Sequence, residues 1–285
     1  MVSLAERRRA VEYLRSEYAV SERHACRALQ LHRSTCRYQP RRESIDQALR
    51  QVVRLSGRYP CWGYRKIYEL AKPDVSVSRE RVRLIRRREG LQVVTRRRKR
   101  RVLGKTTQWV HRALYPNHVW SYDFVFDQTD DARTLKFLTI VDEFTRRGFD
   151  IHCSRSITAG DVVRVLARLF ARYGSPEFIR SDNGTELISS TVRQWLASKR
   201  VHTHYIDPGC PWQNPFNESF NSIFRTTCLD RWLFVSLSEA RAVVKQWLEE
   251  YNTVRPHGSL NGMPPIAYIE QWTNNQIIQP EVLTL

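Results

Sequence analysis

The chain has 285 residues, 41% of them hydrophobic and 11% aromatic, with a formal net charge of +18 at neutral pH. That length and apolar content can bury more than one core, which excludes a disordered tail, and no run reaches the roughly 18 apolar residues of a membrane span. The six cysteines include no CxxC pair, which argues against a zinc ribbon, and the Arg- and Glu-rich start lacks a signal-peptide pattern, so a cytoplasmic protein with reduced thiols is expected.

Charge is divided unevenly along the chain. Residues 1–118 carry 30 Lys and Arg against 10 Asp and Glu, a balance of +20, whereas residues 119–285 carry 17 against 19, a balance of −2. An excess confined to one half is the footprint of a nucleic-acid-binding region rather than of a solvated face.

Residues 1–44 read as a small helical unit of helix-turn-helix character. Leu4 to Tyr18 carries Val11, Leu14 and Tyr18 at helical spacing, Ser21 is placed to cap a second helix ending near Leu29, and Ser34 to cap a short third. His24, Cys26, His32 and Cys36 fall here, but their spacings match no familiar zinc pattern. The polar segment 37–44, RYQPRRES, reads as a linker.

Residues 45–94 form a second unit of the same character. Ile45 to Leu55 is amphipathic, and a helix led by Trp62 to Arg65 runs through Leu70 until Pro73 stops it. Ser78 then caps a helix in which Val82 and Ile85 face inward and Arg79, Arg81, Arg83, Arg86, Arg87 and Arg88 ring the outside, with Gly90 as the stop. This helix is expected to enter a DNA major groove. Residues 95–118 begin with TRRRKRR and show no apolar periodicity, so Arg97, Arg98, Lys99 and Arg100 are expected on an extended arm lying along phosphates.

From Val119 onward strands and helices alternate. Trp120, Tyr122, Phe124 and Phe126 alternate with Ser121, Asp123, Val125 and Asp127, the period of a strand. Two further strands, 135–141 and 148–153, complete an antiparallel meander. An amphipathic helix over 162–173, a strand at 177–181, a helix at 190–199, a strand at 201–206 and helices from 214 and 238 then make residues 119–285 an α/β layered domain with a C-terminal helical extension.

Three acids in this half sit where a ligand gives them a reason. Asp123 lies inside an aromatic strand from which Asp is normally depleted. Asp182 ends a short strand and precedes Asn-Gly, which aims its carboxylate into a turn. Glu218 opens a helix for which Asn214 is a suitable N-cap and Pro215 a suitable first residue. Carboxylates from two strands and one helix can converge on hard cations, the arrangement that two-metal phosphoryl transfer requires. Asp127, Asp142 and Glu186 compete as ligands, but each reads more simply as a surface or turn-capping residue. Trp212, in the proline-rich loop before the Glu218 helix, is a candidate for stacking on bases, and Trp232 has a weaker claim. His257, in an Arg-Pro-His turn, reads as structural or phosphate-contacting.

The 35 residues between Asp182 and Glu218 mean little among 19 acids, but their surroundings are specific. WSYDFVFD (120–127), LTIVDEFTRR (138–147), GSPEFIRSDNGTE (174–186), PGCPWQNPFNESFNSIFR (208–225) and YNTVRPHGSL (251–260) together resemble the DDE transposase and retroviral integrase superfamily, most closely the orfB-type transposases of bacterial insertion sequences. Leu187, Cys210 and the pair Pro215-Phe216 depart from that pattern without removing a ligand.

The resemblance implies a ribonuclease-H-like core, a mixed five-stranded sheet flanked by helices, preceded by helix-turn-helix units. It implies two Mg²⁺ ions, replaceable by Mn²⁺, with Asp123 bridging both and Asp182 and Glu218 holding one each, and Arg225, seven positions after Glu218, contacting phosphate. It further implies cleavage and strand transfer at the ends of an insertion sequence in a bacterial nucleoid. The partners would be terminal-repeat and target duplex DNA, further copies of the chain on that DNA, and an upstream DNA-binding part joined by frameshifting. Two rivals are a DNA-binding regulator with a degenerate α/β half and a ribonuclease acting on RNA–DNA hybrids. The intact acids oppose the first, and the basic half opposes the second.

Overall fold

The computed structural model of the chain describes residues 4–37, 42–93, 112–181, 189–205 and 214–278. Helices α1 (Leu4–Tyr18), α2 (Glu22–Ala28) and α3 (Arg33–Arg37) enclose a small core of Val11, Ala25, Cys26 and Leu31. Ser21 Oγ accepts from His24 N at 3.4 Å, as its capping position predicts. Ser34 does not cap α3, because that helix already starts at Arg33; its hydroxyl instead meets His32 Nδ1 at 2.6 Å.

The second unit consists of α4 (Arg42–Arg58), α5 (Tyr64–Ala71) and α6 (Arg79–Arg88). Because α4 begins at Arg42, the expected boundary between residues 44 and 45 falls inside a helix. Val52, Trp62, Ile67, Val82 and Ile85 fill the core, with Tyr59 stacked on Trp62 at a ring separation of 4.0 Å. Both expected stops of α6 are present. Ser78 Oγ accepts from Arg81 N at 3.1 Å, and Gly90 takes a φ of +68°, which a glycine adopts without strain.

The remaining half is built on one five-stranded sheet in the order β3-β2-β1-β4-β5, from β1 (Val119–Gln128), β2 (Thr134–Asp142), β3 (Gly148–Ser154), β4 (Phe178–Ser181) and β5 (His202–Tyr205). The first three strands pair antiparallel as a meander, while β4 and β5 run parallel to β1 and are reached through α7 (Ala159–Tyr173) and α8 (Ser190–Ser198). This is the expected mixed sheet with flanking helices.

Alternation along β1 divides the core into two layers. Trp120 and Tyr122 join Leu138, Ile140 and Ile179 beneath α7 and α8. Val125 joins Phe137 and Val141 beneath α9 (Pro215–Thr227) and α10 (Leu237–Thr253). Asp123, an even number of residues from Val125, therefore faces α9. The second layer is tight at Gly148, where a Cβ would meet Leu248 at 2.7 Å, and Asn252 clamps the same glycine through bonds of 3.0 and 2.8 Å to its N–H and carbonyl. A last helix, α11 (Pro265–Ile278), sets Tyr268 and Trp272 against Phe144. No described helix is long and apolar enough to cross a membrane.

Candidate active site

Among the described residues the parallel pairing of β1 with β4 runs to Tyr122 with Ser181, the residues that precede Asp123 and Asp182 in sequence. Asp182 itself lies outside the described residues, as do Glu186, Trp212 and the arm carrying Arg97, Arg98, Lys99 and Arg100. Beside that pair α9 meets the backbone of β1. Asn217, fully buried, accepts from Tyr122 N at 3.2 Å and Asp123 N at 3.1 Å and donates to Thr139 Oγ1 at 3.2 Å, the amide orientation that satisfies all its neighbours.

The Asp123 carboxylate is half-buried and oriented from two sides. Oδ1 accepts from Phe124 N at 2.7 Å, and Oδ2 accepts from Asn221 Nδ2 at 2.8 Å. Thr139, opposite Asp123 on β2, places its hydroxyl 3.1 Å from the Asp123 carbonyl and 2.9 Å from Asn221 Oδ1. A charged acceptor bonded this way is fixed in rotamer by partners on two sides.

Glu218 is exposed on α9, directly after Asn217 and one turn before Asn221. The two residues that touch β1 around Asp123 thus bracket Glu218 on the same helix. Asn214 occupies the N-cap position as expected, but its side chain makes no capping bond there; its backbone carbonyl accepts from Glu218 N at 3.1 Å. Arg225 donates to the Phe126 carbonyl and lies 3.8 Å from Asp127 and 4.0 Å from Asp230, which ties it to the far end of β1.

The competing acids have local occupations. Asp127 accepts from Gln128 N at 2.9 Å. Asp142 is buried in the turn after β2 and accepts from Phe144 N, Asn117 N and Thr145 Oγ1 at 2.9, 3.2 and 2.9 Å; burial raises its pKa against the pull of these bonds. Glu143 was not anticipated. It is buried beside Arg180 at 3.1 Å, and burial pushes it up to about 7 although Arg180 and Arg146 oppose that shift.

In α6 the arginines divide. Arg81, Arg87 and Arg88 are exposed, Arg79 leans on Glu69 at 3.7 Å and on the Tyr68 ring, and Arg83 is bonded to Glu80 at 2.8 Å. Arg86 corrects the sequence reading. It is 2% exposed and spends its guanidinium on the carbonyls of Leu91 and Trp62, so it braces the unit instead of facing DNA. Trp232 is 52% exposed, directly after the 3₁₀ turn Leu229–Arg231 that follows α9.

Asn217, Asn221 and Thr139 are the residues bonded to Asp123 that sequence reasoning missed. Their one visible signal is a pair of asparagines four apart on a helix whose neighbouring positions, Phe220 and Phe224, are core.

Two models of the Integrase core domain match the chain, one over residues 113–211 and one over residues 199–265. The chain is 35% identical to a 39.2 kDa protein of insertion element IS476 from Xanthomonas euvesicatoria, over 95% of this chain and 78% of that one. It is likewise 35% identical to a 31.7 kDa protein of insertion element IS407 from Burkholderia multivorans, over 90% of this chain and 92% of that one. Transposase InsF of insertion sequence IS3A from Escherichia coli is 25% identical over 57% of this chain and 56% of its own length. Among solved structures, the HTLV-2 integrase catalytic core in complex with magnesium is 18% identical with a TM-score of 0.46, covering 55% of this chain and 99% of that one. The chain belongs to the DDE transposase and integrase superfamily, in the orfB-type group of insertion-sequence proteins.

Proposed function

We propose that the chain is the transposase of a bacterial insertion sequence, cleaving phosphodiesters at the element's ends and joining the freed ends to target DNA. The observation that carries this reading is the placement of Asp123. Its carboxylate is oriented by Asn221 from the helix that bears Glu218, on a strand paired with β4 up to Ser181, the residue before Asp182 in sequence.

Asp123 and Glu218 offer only hard oxygen donors, so the described part of the site fits Mg²⁺ or Mn²⁺. With Asp182 as a third ligand, these residues would hold two such ions. Such ions supply a deprotonated nucleophile and neutralise charge on the leaving oxygen. The protein's own contribution is positional. Asn221 orients the Asp123 carboxylate, Asn217 and Thr139 hold the Asp123 backbone, and α9 carries Glu218.

Water attacking the phosphorus would break the bond to the 3′ oxygen and leave a 3′-hydroxyl. That hydroxyl, attacking a second phosphodiester in the same site, would form the new strand and release the target's 3′ oxygen. Neither step needs a covalent protein intermediate. The basic helical units and the segment 95–118 would bind the terminal duplex, with Arg225 near the reacting strand and further copies of the chain assembling on the same DNA. An upstream frameshift-fused part belongs to the same reading, as does a place in the bacterial cytoplasm on the nucleoid.

The test is incubation of the chain, with Mg²⁺ or Mn²⁺, with duplexes carrying the element's ends, beside RNA–DNA hybrids and unrelated duplexes. Metal-dependent nicking at the element's ends followed by strand joining is expected. Preference for the hybrid would establish the ribonuclease, and binding without cleavage the regulator.

A further inference from the structure

The turn that joins β2 to β3 places Arg146 against the helix that bears Glu218. Arg146 Cζ stands 3.9 Å from the centre of the Phe216 ring, in the first turn of α9. On its other sides Nε reaches Ser259 Oγ at 3.4 Å, in the 3₁₀ turn Gly258–Leu260, and Nη1 donates to the Glu143 carbonyl. Three of the stretches singled out in the sequence, LTIVDEFTRR, PGCPWQNPFNESFNSIFR and YNTVRPHGSL, thus meet at one half-buried side chain.

Charge alone does not account for an arginine here. Burial lowers the pKa of its guanidinium, and a cation beside the N-terminus of a helix opposes the helix dipole. Its backbone takes a φ of +61°, a region that suits Gly or Asn better than a long side chain. What the position gains is a planar cation that covers an aromatic ring while its N–H edge stays bonded, which the compact charge of a lysine does less well.

The first turn of α9 needs such a hold. Asn214, at the N-cap position, makes no capping bond, and among the described residues its buried Oδ1 meets no hydrogen-bond partner. Two other side chains secure the turn, Asn217 on the backbone of β1 and Phe216 beneath Arg146. Consecutive helical residues leave the axis about 100° apart, so contacts at 216 and 217 together oppose rotation of the turn. Glu218 is the next residue.

We propose that Arg146 is a positioning residue for strand cleavage: through Phe216 it fixes the first turn of α9, and with it the direction in which Glu218 leaves the helix. The inference rests on the reading of Glu218 as a metal ligand. Arg146 is itself no ligand and moves no proton.

The full chain and its variants Arg146→Lys, Phe216→Leu and Phe216→Tyr test it through two readouts. One is the rise in thermal midpoint as Mn²⁺ is added to metal-free chain, counting only the rise that Glu218→Gln abolishes. The other is the Mg²⁺ dependence of cleavage of terminal duplexes. Arg146→Lys and Phe216→Leu are expected to need about tenfold more metal for the same rise and for half-maximal cleavage, the scale seen when the support of a metal ligand is lost. Affinity for duplex stays at the wild-type value. Phe216→Tyr, which restores the ring, recovers most of the loss. The double variant of Arg146→Lys and Phe216→Leu is no worse than the worse single one, because both remove the same contact. Unshifted metal dependence in both single variants overturns the proposal. So do losses that add in the double variant, or that follow the metal-free midpoint as a general loosening of the fold would. Should Arg146→Lys fail to fold, the two Phe216 variants decide. A wild-type chain that takes up Mn²⁺ without cleaving DNA refutes the transposase reading and leaves the midpoint comparison to decide this one, and a chain with no such rise refutes both.

Discussion

Asn221 Nδ2 stands 2.8 Å from Asp123 Oδ2, and this bond couples the helix that carries Glu218 to the strand that carries Asp123. It also fixes which oxygen of Asp123 points away from α9. Asn221→Ala removes the donor while leaving both acids in place, so the carboxylate gains rotamer freedom without losing charge. Loss of an orienting partner of this kind costs about 10–100-fold in activity or metal affinity. The expected result is a fall in cleavage rate with duplex binding unchanged, and raised Mg²⁺ recovering part of the rate. Unchanged cleavage kinetics across a Mg²⁺ titration would show that the bond orients nothing.

The division within α6 yields opposite expectations for neighbouring arginines. Arg81 and Arg87 are exposed, and replacing either with Ala should relax sequence preference on duplex DNA while leaving thermal stability within about 0.5 kcal/mol. Arg86→Ala strips two buried carbonyls of their donors and opens a gap, which should cost about 2–4 kcal/mol of stability. Neutralising Arg97, Arg98, Lys99 and Arg100 should weaken all duplexes alike and flatten the salt dependence. A uniform loss from the Arg81 and Arg87 variants would reduce the helix to an electrostatic surface.

These arginines also show where a sequence stops being readable. Ser78 and Gly90 could be placed in advance because capping and left-handed stops are settled within a few residues of chain. The burial of Arg86 could not, since its acceptors are the carbonyls of Leu91 and Trp62 and the second lies 24 positions away. Asp123 was legible because a carboxylate in an aromatic strand contradicts its surroundings. Asn217 and Asn221 were not, because asparagine on a helix reads as solvated until the strand it meets is known. The boundary near residue 44 and the whole of α11 were missed for a related reason. Their apolar patterns are weak, and α11 is held by Tyr268 and Trp272 against Phe144, a contact that only the tertiary fold supplies.

Glu143 gives a pH dependence whose sign can be worked out. Its folded pKa is about 7 against an ordinary 4.5, so between these values the folded state holds a proton that the unfolded chain has released. Stability from this group is therefore complete below about pH 4.5 and declines as pH rises towards 7. The decline is on the order of 2 kcal/mol for a group this buried. Glu143→Gln carries no titrating proton, so denaturant unfolding of the variant should show a flatter profile over that interval than the wild type. Parallel profiles would mean that Arg180 already keeps Glu143 ionised throughout.

The three acids carry the functional reading, and isosteric amides test them most cleanly. Asp123→Asn, Asp182→Asn and Glu218→Gln each preserve side-chain volume and one ligand oxygen but remove the charge that offsets divalent cations. At Asp123 the amide nitrogen must also face either Asn221 Nδ2 or Phe124 N, both donors, so orientation suffers together with charge. Cleavage should fall by at least about a thousandfold in each variant, a loss of roughly 4 kcal/mol of transition-state stabilisation. Duplex binding should persist, because the excess charge lies in residues 1–118. Asp127→Asn should retain much of the activity, since that carboxylate is turned to Gln128 N and Arg225. Strand cleavage and joining on terminal duplexes, run beside a binding assay with Mg²⁺ and Mn²⁺, separates these outcomes. Catalysis retained in one of the three variants removes that residue from the site, and catalysis retained in all three overturns the assignment.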